Sequence, residues 1–170
     1  MPVIFSHGLR SSGLFHSQLA RELASNGGIV FNIDHLDGSA AYTETQEGKG
    51  ISFDISKGPF NRTWRAEHAE IRKKEVENLI DEIEQRSFLE KIGFDECNFP
   101  KIALDKLTMT GHSFGGATAV YVAAADPRVK ACATLDMGTL PIYKKIETGE
   151  VFLKQPTLYM VTEGLMEYYH

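Results

Sequence analysis

Cysteine is scarce in these 170 residues: there are two, Cys97 and Cys132. They form no C-x-x-C or Cys/His spacing, so neither a zinc site nor a disulfide framework is expected, and Cys132 reads as a small core residue. Long apolar runs are missing too. No stretch approaches the roughly 18 consecutive apolar residues of a membrane-spanning helix, and no basic segment followed by an apolar one opens the chain. Neither a span nor a signal peptide is expected, and a reducing cytosol is the default location. Basic charge is in deficit, 18 Lys and Arg against 23 Asp and Glu for a net charge of -5. That is the wrong sign for a nucleic-acid binder, which needs a basic stripe to replace phosphate counterions. The densest basic cluster, "RKK" at 72–74, is bracketed by Glu70 and Glu75 and reads as a solvated helix face. Neither GxGxxG nor GxxxxGK occurs, leaving nucleotide sites unsupported. No His, Asp or Glu cluster has ligand spacing, so no metal or other cofactor is expected.

What the chain does have is alternation. "PVIFSHG" is an apolar run ending in glycine, followed by "SSGLFHSQLARELASNGG", where Phe15, Leu19 and Leu23 recur at helical spacing before Gly27 offers a stop. "GIVFNIDH" reads as the next buried strand, and the polar, glycine-bearing 36–59 as a long loop or short irregular structure. From Asn61 a charged helix is expected to about residue 89, with Val76, Leu79, Ile80 and Ile83 forming one apolar stripe. Asn61-Arg62-Thr63 has the form of a glycosylation sequon, but Asn61 is also placed to cap that helix. After a break around "GFDECNFPK" come a strand, a small-residue helix, the strand "VKACATLDMG" and, past a polar link, "QPTLYMVTEG". Apolar strands alternating with helices predict one α/β domain over 1–170 with a mostly parallel sheet. Its ligand site is expected at the carboxyl ends of the strands.

The strand-to-helix corner in "KLTMTGHSFGGATAVYVAA" carries the chemistry. Gly111-His112-Ser113-Phe114-Gly115 is a GxSxG sequence. In a nucleophile elbow the serine takes a strained backbone conformation, and its neighbours lack side chains so that strand and helix can approach. Short motifs of this kind also arise by chance, but a strand before and a small-residue helix after favour a nucleophilic Ser113. A serine hydroxyl needs a base, an acid that orients the base, and donors for the oxyanion. Asp136 closes the next buried strand, in the Ser-then-Asp order of α/β-hydrolases, as either the acid of a triad or a turn-capping carboxylate. The oxyanion donors in that fold are the amide after the nucleophile, here Phe114, and one from a loop after an earlier strand. In "SHGLRSSG", Gly8 lets the chain turn so that the Leu9 amide points into the site. His7 precedes the serine within this loop and reads as a structural, hydrogen-bonded histidine. His112 lies inside the elbow, and His16, His35 and His68 fall in strand or helix patterns. Only His170 follows Asp136.

Several stretches together resemble the platelet-activating factor acetylhydrolases, a lipase-like branch of the α/β-hydrolases. They are "FSHGL", "LASNGGIVFNIDHLDGSA", "NRTWRAEHAEIRKKEVENLIDEI", "GHSFGGAT" with "LDMG", and "QPTLYMVTE". The resemblance covers nearly the whole chain. It implies Ser113 as nucleophile, Asp136 as triad acid, and Leu9 and Phe114 as oxyanion donors. The implied reaction is calcium-independent hydrolysis of the acetyl, short or oxidised acyl group at the sn-2 position of a phospholipid, at a lipid–water interface. Two departures stand out: Arg10 where the family usually has glycine, and Leu36 where it has arginine. The family also carries strands before the first one here and a catalytic histidine tens of residues past the acid. The expectation is therefore an α/β-hydrolase fold incomplete at both ends, nearly inactive alone, with His170 a poor base. Another small-acyl esterase or acyltransferase, and a non-catalytic fragment that binds lipid or a partner chain, are the alternatives.

Overall fold

The structure, a computed structural model, describes residues 1–58, 61–94 and 102–169. Five strands form one sheet: β1 (Pro2–Ser6), β2 (Ile29–Ile33), β5 (Thr108–His112), β6 (Ala131–Leu135) and β7 (Thr157–Met160), in the order β2-β1-β5-β6-β7. Every pairing is parallel. Parallel strands need crossovers, supplied by α1 (Ser17–Ser25), α2 (Arg62–Ile83), α3 (Arg86–Lys91), α4 (Phe114–Ala125) and α5 (Tyr143–Glu147), with α6 (Glu163–Tyr169) after β7. This is the mostly parallel α/β arrangement that the alternation predicts.

The core sits where α4 meets the sheet. Ile4, Leu107, Met109, Ala117, Val120, Val122 and Cys132 are all buried there. Nearly every residue of α4 is buried, which its small side chains allow. On its other side α4 packs against α2 through Val76, Ile80 and Ile83, the expected stripe. Burial pushes the Cys132 thiol up to about 12, so it behaves as a core hydrophobe. Cys97 lies outside the described residues.

Three local expectations need correction. The segment 36–59 is not wholly irregular: β3 (Tyr42–Glu44) and β4 (Gly50–Ser52) form an antiparallel pair. Gly48, at φ 77°, closes the turn with its amide on the Thr45 carbonyl, and Ala41 ties the hairpin to Ser11. The long helix does start at an Asn61 cap, whose Oδ1 accepts from the Thr63 amide at 2.7 Å, but it does not run to residue 89. It ends at Ile83, Gln85 is extended, and the Gln85 carbonyl starts α3 by accepting from Phe88. No glycine or proline marks this break. Phe15 is 72% exposed, because a 3-10 turn over Gly13–His16 precedes α1 and takes it off the helical spacing. Leu19 and Leu23, inside α1, are half-buried as expected.

Candidate active site

Chain progress across the sheet reverses between β1 and β5: β2 lies on one side of β1, while β5, β6 and β7 follow in turn on the other. At such a switch point the loops leave in opposite directions and open a crevice at the carboxyl ends of the strands. The loop after β1 carries His7-Gly8-Leu9, and Ser113 follows β5 directly.

Ser113 sits at φ 53°, ψ -115°, a region that non-glycine residues rarely enter. Its neighbours hold it there. The Ser113 amide donates to the Leu135 carbonyl at 2.9 Å, and its own carbonyl accepts from Gly138 at 3.1 Å. The glycines answer a real crowding: a Cβ on Gly111 would stand 2.3 Å from the Gly115 carbonyl oxygen. The first intrahelical bond of α4 runs from Ala117 to the Ser113 carbonyl. The Phe114 amide precedes it, in the turn where helix N–H groups lack intrahelical acceptors and carry the positive end of the dipole. Gly8 packs directly on the elbow, where a Cβ would meet Ser113 Cβ at 3.3 Å. Gly8, Ser113 and the start of α4 are thus brought together, with Leu9 the next residue of the loop.

Asp136 follows β6 directly, one strand over, since His112 and Leu135 are paired in register. It too has positive φ, 46°. Its carboxylate accepts from the Thr162 amide at 2.6 Å and from the Thr162 hydroxyl at 2.9 Å, while its amide donates to Met160. Thr162 was not singled out in the sequence. Its only cue is its position just past the β7 strand. Arg10 has φ 56° and is exposed, with its amide on the Ser39 carbonyl. This left-handed backbone explains why glycine suits the position. Leu36 is 47% exposed, and its amide donates to Glu75.

Histidine placement decides what could serve as a base. His7 is fully buried: its ring pairs with the Gly8 carbonyl at 2.7 Å and accepts from the His35 amide at 3.2 Å. Burial, then the Arg72 charge, lowers it to about 4. It is the structural histidine expected. The rings of His16 and His68 pair with the Ser12 and Trp64 carbonyls. His112 is lowered by burial and then by His16, whose ring centroid is 5.5 Å away. Among the described residues, no histidine is hydrogen-bonded to Ser113 or Asp136. His170 lies outside the described residues.

A second serine has better hydrogen bonding and no access. Ser6 Oγ lies 2.8 Å from His35 Nε2, and His35 Nδ1 lies 2.6 Å from Glu75 Oε2. This is a Ser-His-Glu chain, but Ser6 and His35 are both 0% exposed. An ester carbonyl cannot reach a sealed hydroxyl. Burial first, then Asp37, pushes the Glu75 carboxyl up to about 7, and burial keeps His35 well below its ordinary value. Beside this chain the "RKK" expectation fails for Arg72, which is 0% exposed rather than solvated. It faces the sheet side of α2 and finds Asp37, Ser39 and the His7 carbonyl. Lys73, by contrast, pairs with Glu77 one turn along, and Lys74 is exposed.

Among the described residues, no three His, Cys, Asp or Glu side chains gather as a metal ion requires, and no helix is long and apolar enough to cross a membrane. A groove of about 640 Å³ lies between the start of α2 and the 140–150 segment, lined by Arg62, Ala66, Pro141, Ile142 and Tyr143. None of Leu9, Ser113 or Asp136 lines it.

A curated platelet-activating factor acetylhydrolase from Canis lupus familiaris is 33% identical over 89% of this chain and 39% of its own length. Those from Bos taurus and Gallus gallus are each 29% identical over 95% of this chain, covering 39% and 43% of their lengths. The chain therefore spans well under half of these relatives. Among solved structures, a ferulic acid esterase from Streptomyces cinnamoneus superposes with a TM-score of 0.65 at 19% identity, over 99% of this chain and 45% of that one. That likeness identifies the fold as an α/β-hydrolase. The sequence matches the family described as "Platelet-activating factor acetylhydrolase, isoform II" over residues 1–168, and the chain belongs to that family.

Proposed function

We propose that this chain carries the nucleophile, the acid and the oxyanion donors of a serine esterase. Its substrates are phospholipids with an acetyl, short or oxidised acyl group at the sn-2 position, met at a lipid–water interface. The observation that carries the reading is Ser113 held at positive φ on the β1/β5 switch point, with Asp136 at the end of the adjacent strand. Strain of this kind costs of order 1–3 kcal/mol and persists only where the surroundings impose it.

In this reading Ser113 Oγ attacks the ester carbonyl as a base takes its proton. The oxyanion forms between the Leu9 and Phe114 amides, the lysolipid leaves as the base returns the proton, and water then hydrolyses the acyl-serine by the same route. Asp136, oriented by Thr162, holds the base. We place the base outside the described residues, because His7, His16 and His35 are committed elsewhere and His112 makes no hydrogen bond to Ser113 or Asp136. Two fixed amides can supply the electrostatic work without calcium.

The test is hydrolysis by the protein expressed from its whole coding sequence. An sn-2 acetyl phospholipid and a long-chain diacyl phospholipid are compared with chelator present, with Ser113→Ala as control. The expected result is cleavage of the acetyl lipid, weak cleavage of the long-chain lipid, and a loss of about 10⁴-fold or more in the variant. No acetyl-ester cleavage, or full activity in Ser113→Ala, overturns the proposal.

A further inference from the structure

Arg72 is the largest fully buried side chain described, and its contacts have one thing in common. Nη1 donates to the His7 carbonyl at 2.7 Å. Nε donates to Asp37 Oδ2 at 3.1 Å and to Ser39 Oγ at 3.1 Å, and Nη2 donates to the same hydroxyl. The guanidinium carbon lies over the Phe114 ring, 4.2 Å from its centroid. His7 stands two residues before Leu9. Phe114 is the residue whose amide opens α4. Ser39, the third partner, accepts the Arg10 amide on its carbonyl at 2.8 Å, just past Leu9. One rigid group on α2 therefore touches the chain just before the Leu9 amide directly, the chain just after it through Ser39, and the residue bearing the other amide.

Stability alone accounts poorly for this. A buried ion pair loses about as much solvation as it gains in attraction, and apolar packing of equal volume often does as well. What an apolar side chain cannot do is hold a carbonyl in its plane and an aromatic ring on its face. A lysine can do only part of it, because its ammonium is a point charge with no plane. The distances to hold are those between two donors that must both meet one oxygen, where an error of about 1 Å costs on the order of 100-fold.

We propose that Arg72 is a positioning residue that sets the spacing of the Leu9 and Phe114 amides, gripping the His7 carbonyl and the Phe114 ring with one guanidinium. The inference rests on the esterase reading above. It touches no substrate and works through the two backbones.

The test uses the protein expressed from its whole coding sequence and two matched substrates, an acetyl ester and its thionoester, in which sulfur replaces the carbonyl oxygen. Sulfur is larger and accepts hydrogen bonds poorly, so the ratio of ester to thionoester rates reads how well the amides fit an oxyanion. A variant that merely folds less well lowers both rates together and leaves the ratio alone. Arg72→Lys keeps the charge beside Asp37, and Arg72→Met with Asp37→Asn removes the pair without stranding a charge. In both, kcat for the ester should fall about 10- to 100-fold with little change in KM, and the ester-to-thionoester ratio should fall by a similar factor. An unchanged ratio, whether or not the rates drop, overturns the positioning role while leaving the esterase reading intact. Wild-type protein that cleaves neither substrate overturns the esterase reading, and this inference with it.

Discussion

Gly115 lies so close to Ser6 that a Cβ on it would stand 1.9 Å from the Ser6 carbonyl oxygen. The atom in the way is backbone of the interior strand β1, which cannot swing aside as a side chain end could. Gly115→Ala must therefore push α4 off the sheet. We expect a loss of more than about 3 kcal/mol in urea unfolding. Melting like the wild type would mean that the elbow is looser than described.

Ser6 and Ser113 make opposite claims on the same chemistry. Ser6 has the histidine and carboxylate but no access, whereas Ser113 has access and strain. Ser6→Ala should keep esterase activity within about threefold and lose about 1–3 kcal/mol of stability, because His35 Nε2 loses its partner. Activity that falls with Ser6→Ala and survives Ser113→Ala reverses the assignment.

Arg10 is exposed at φ 56°, so its side chain gains no burial for the strain of its backbone. Arg10→Gly should relieve about 1 kcal/mol, partly offset by the greater freedom of glycine in the unfolded chain. A raised thermal midpoint checks it. A lowered midpoint would show that the Arg10 side chain stabilises the loop.

Glu75 gives the fold a pH signature. Its carboxyl is raised from 4.5 to about 7 by burial, then by Asp37, against the pull of the Leu36 amide and Arg72, and His35 touches it directly. The folded protein then binds more protons than the unfolded between those values, so this group's contribution is present below about pH 4.5 and lost as pH rises to about 7. His7, lowered to about 4, works the other way, stabilising increasingly from about pH 4 to 6.5. Only a variant separates the two. The stability of wild type minus that of Glu75→Gln should fall between pH 5 and 7 by about 3 kcal/mol at most. A difference that is flat or rises with pH refutes the raised carboxyl.

The strand and helix alternation, the mostly parallel sheet and the tight strand-to-helix corner at Ser113 were legible in the sequence, because period and glycine placement are local signals of close packing. What escaped was set by tertiary partners. Arg72 looks like any surface cation in "RKK", since the Asp37, Ser39 and His7 groups that bury it lie at least 33 residues away in sequence. The helix break after Ile83 carries no glycine or proline to announce it. Thr162 becomes visible only once β7 is known to pair beside β6. The Ser6-His35-Glu75 chain draws on β1, the segment after β2, and α2, so no motif could contain it.

Covalent capture asks the nucleophile question of Ser113 itself. The protein expressed from its whole coding sequence is treated with a fluorophosphonate, digested, and the modified residue located by mass spectrometry. One adduct is expected, on Ser113, its formation paralleling the loss of acetyl-ester hydrolysis and slowed when that substrate is in excess. An adduct on Ser6 or another residue, or none on Ser113 in protein that cleaves the ester, would contradict it.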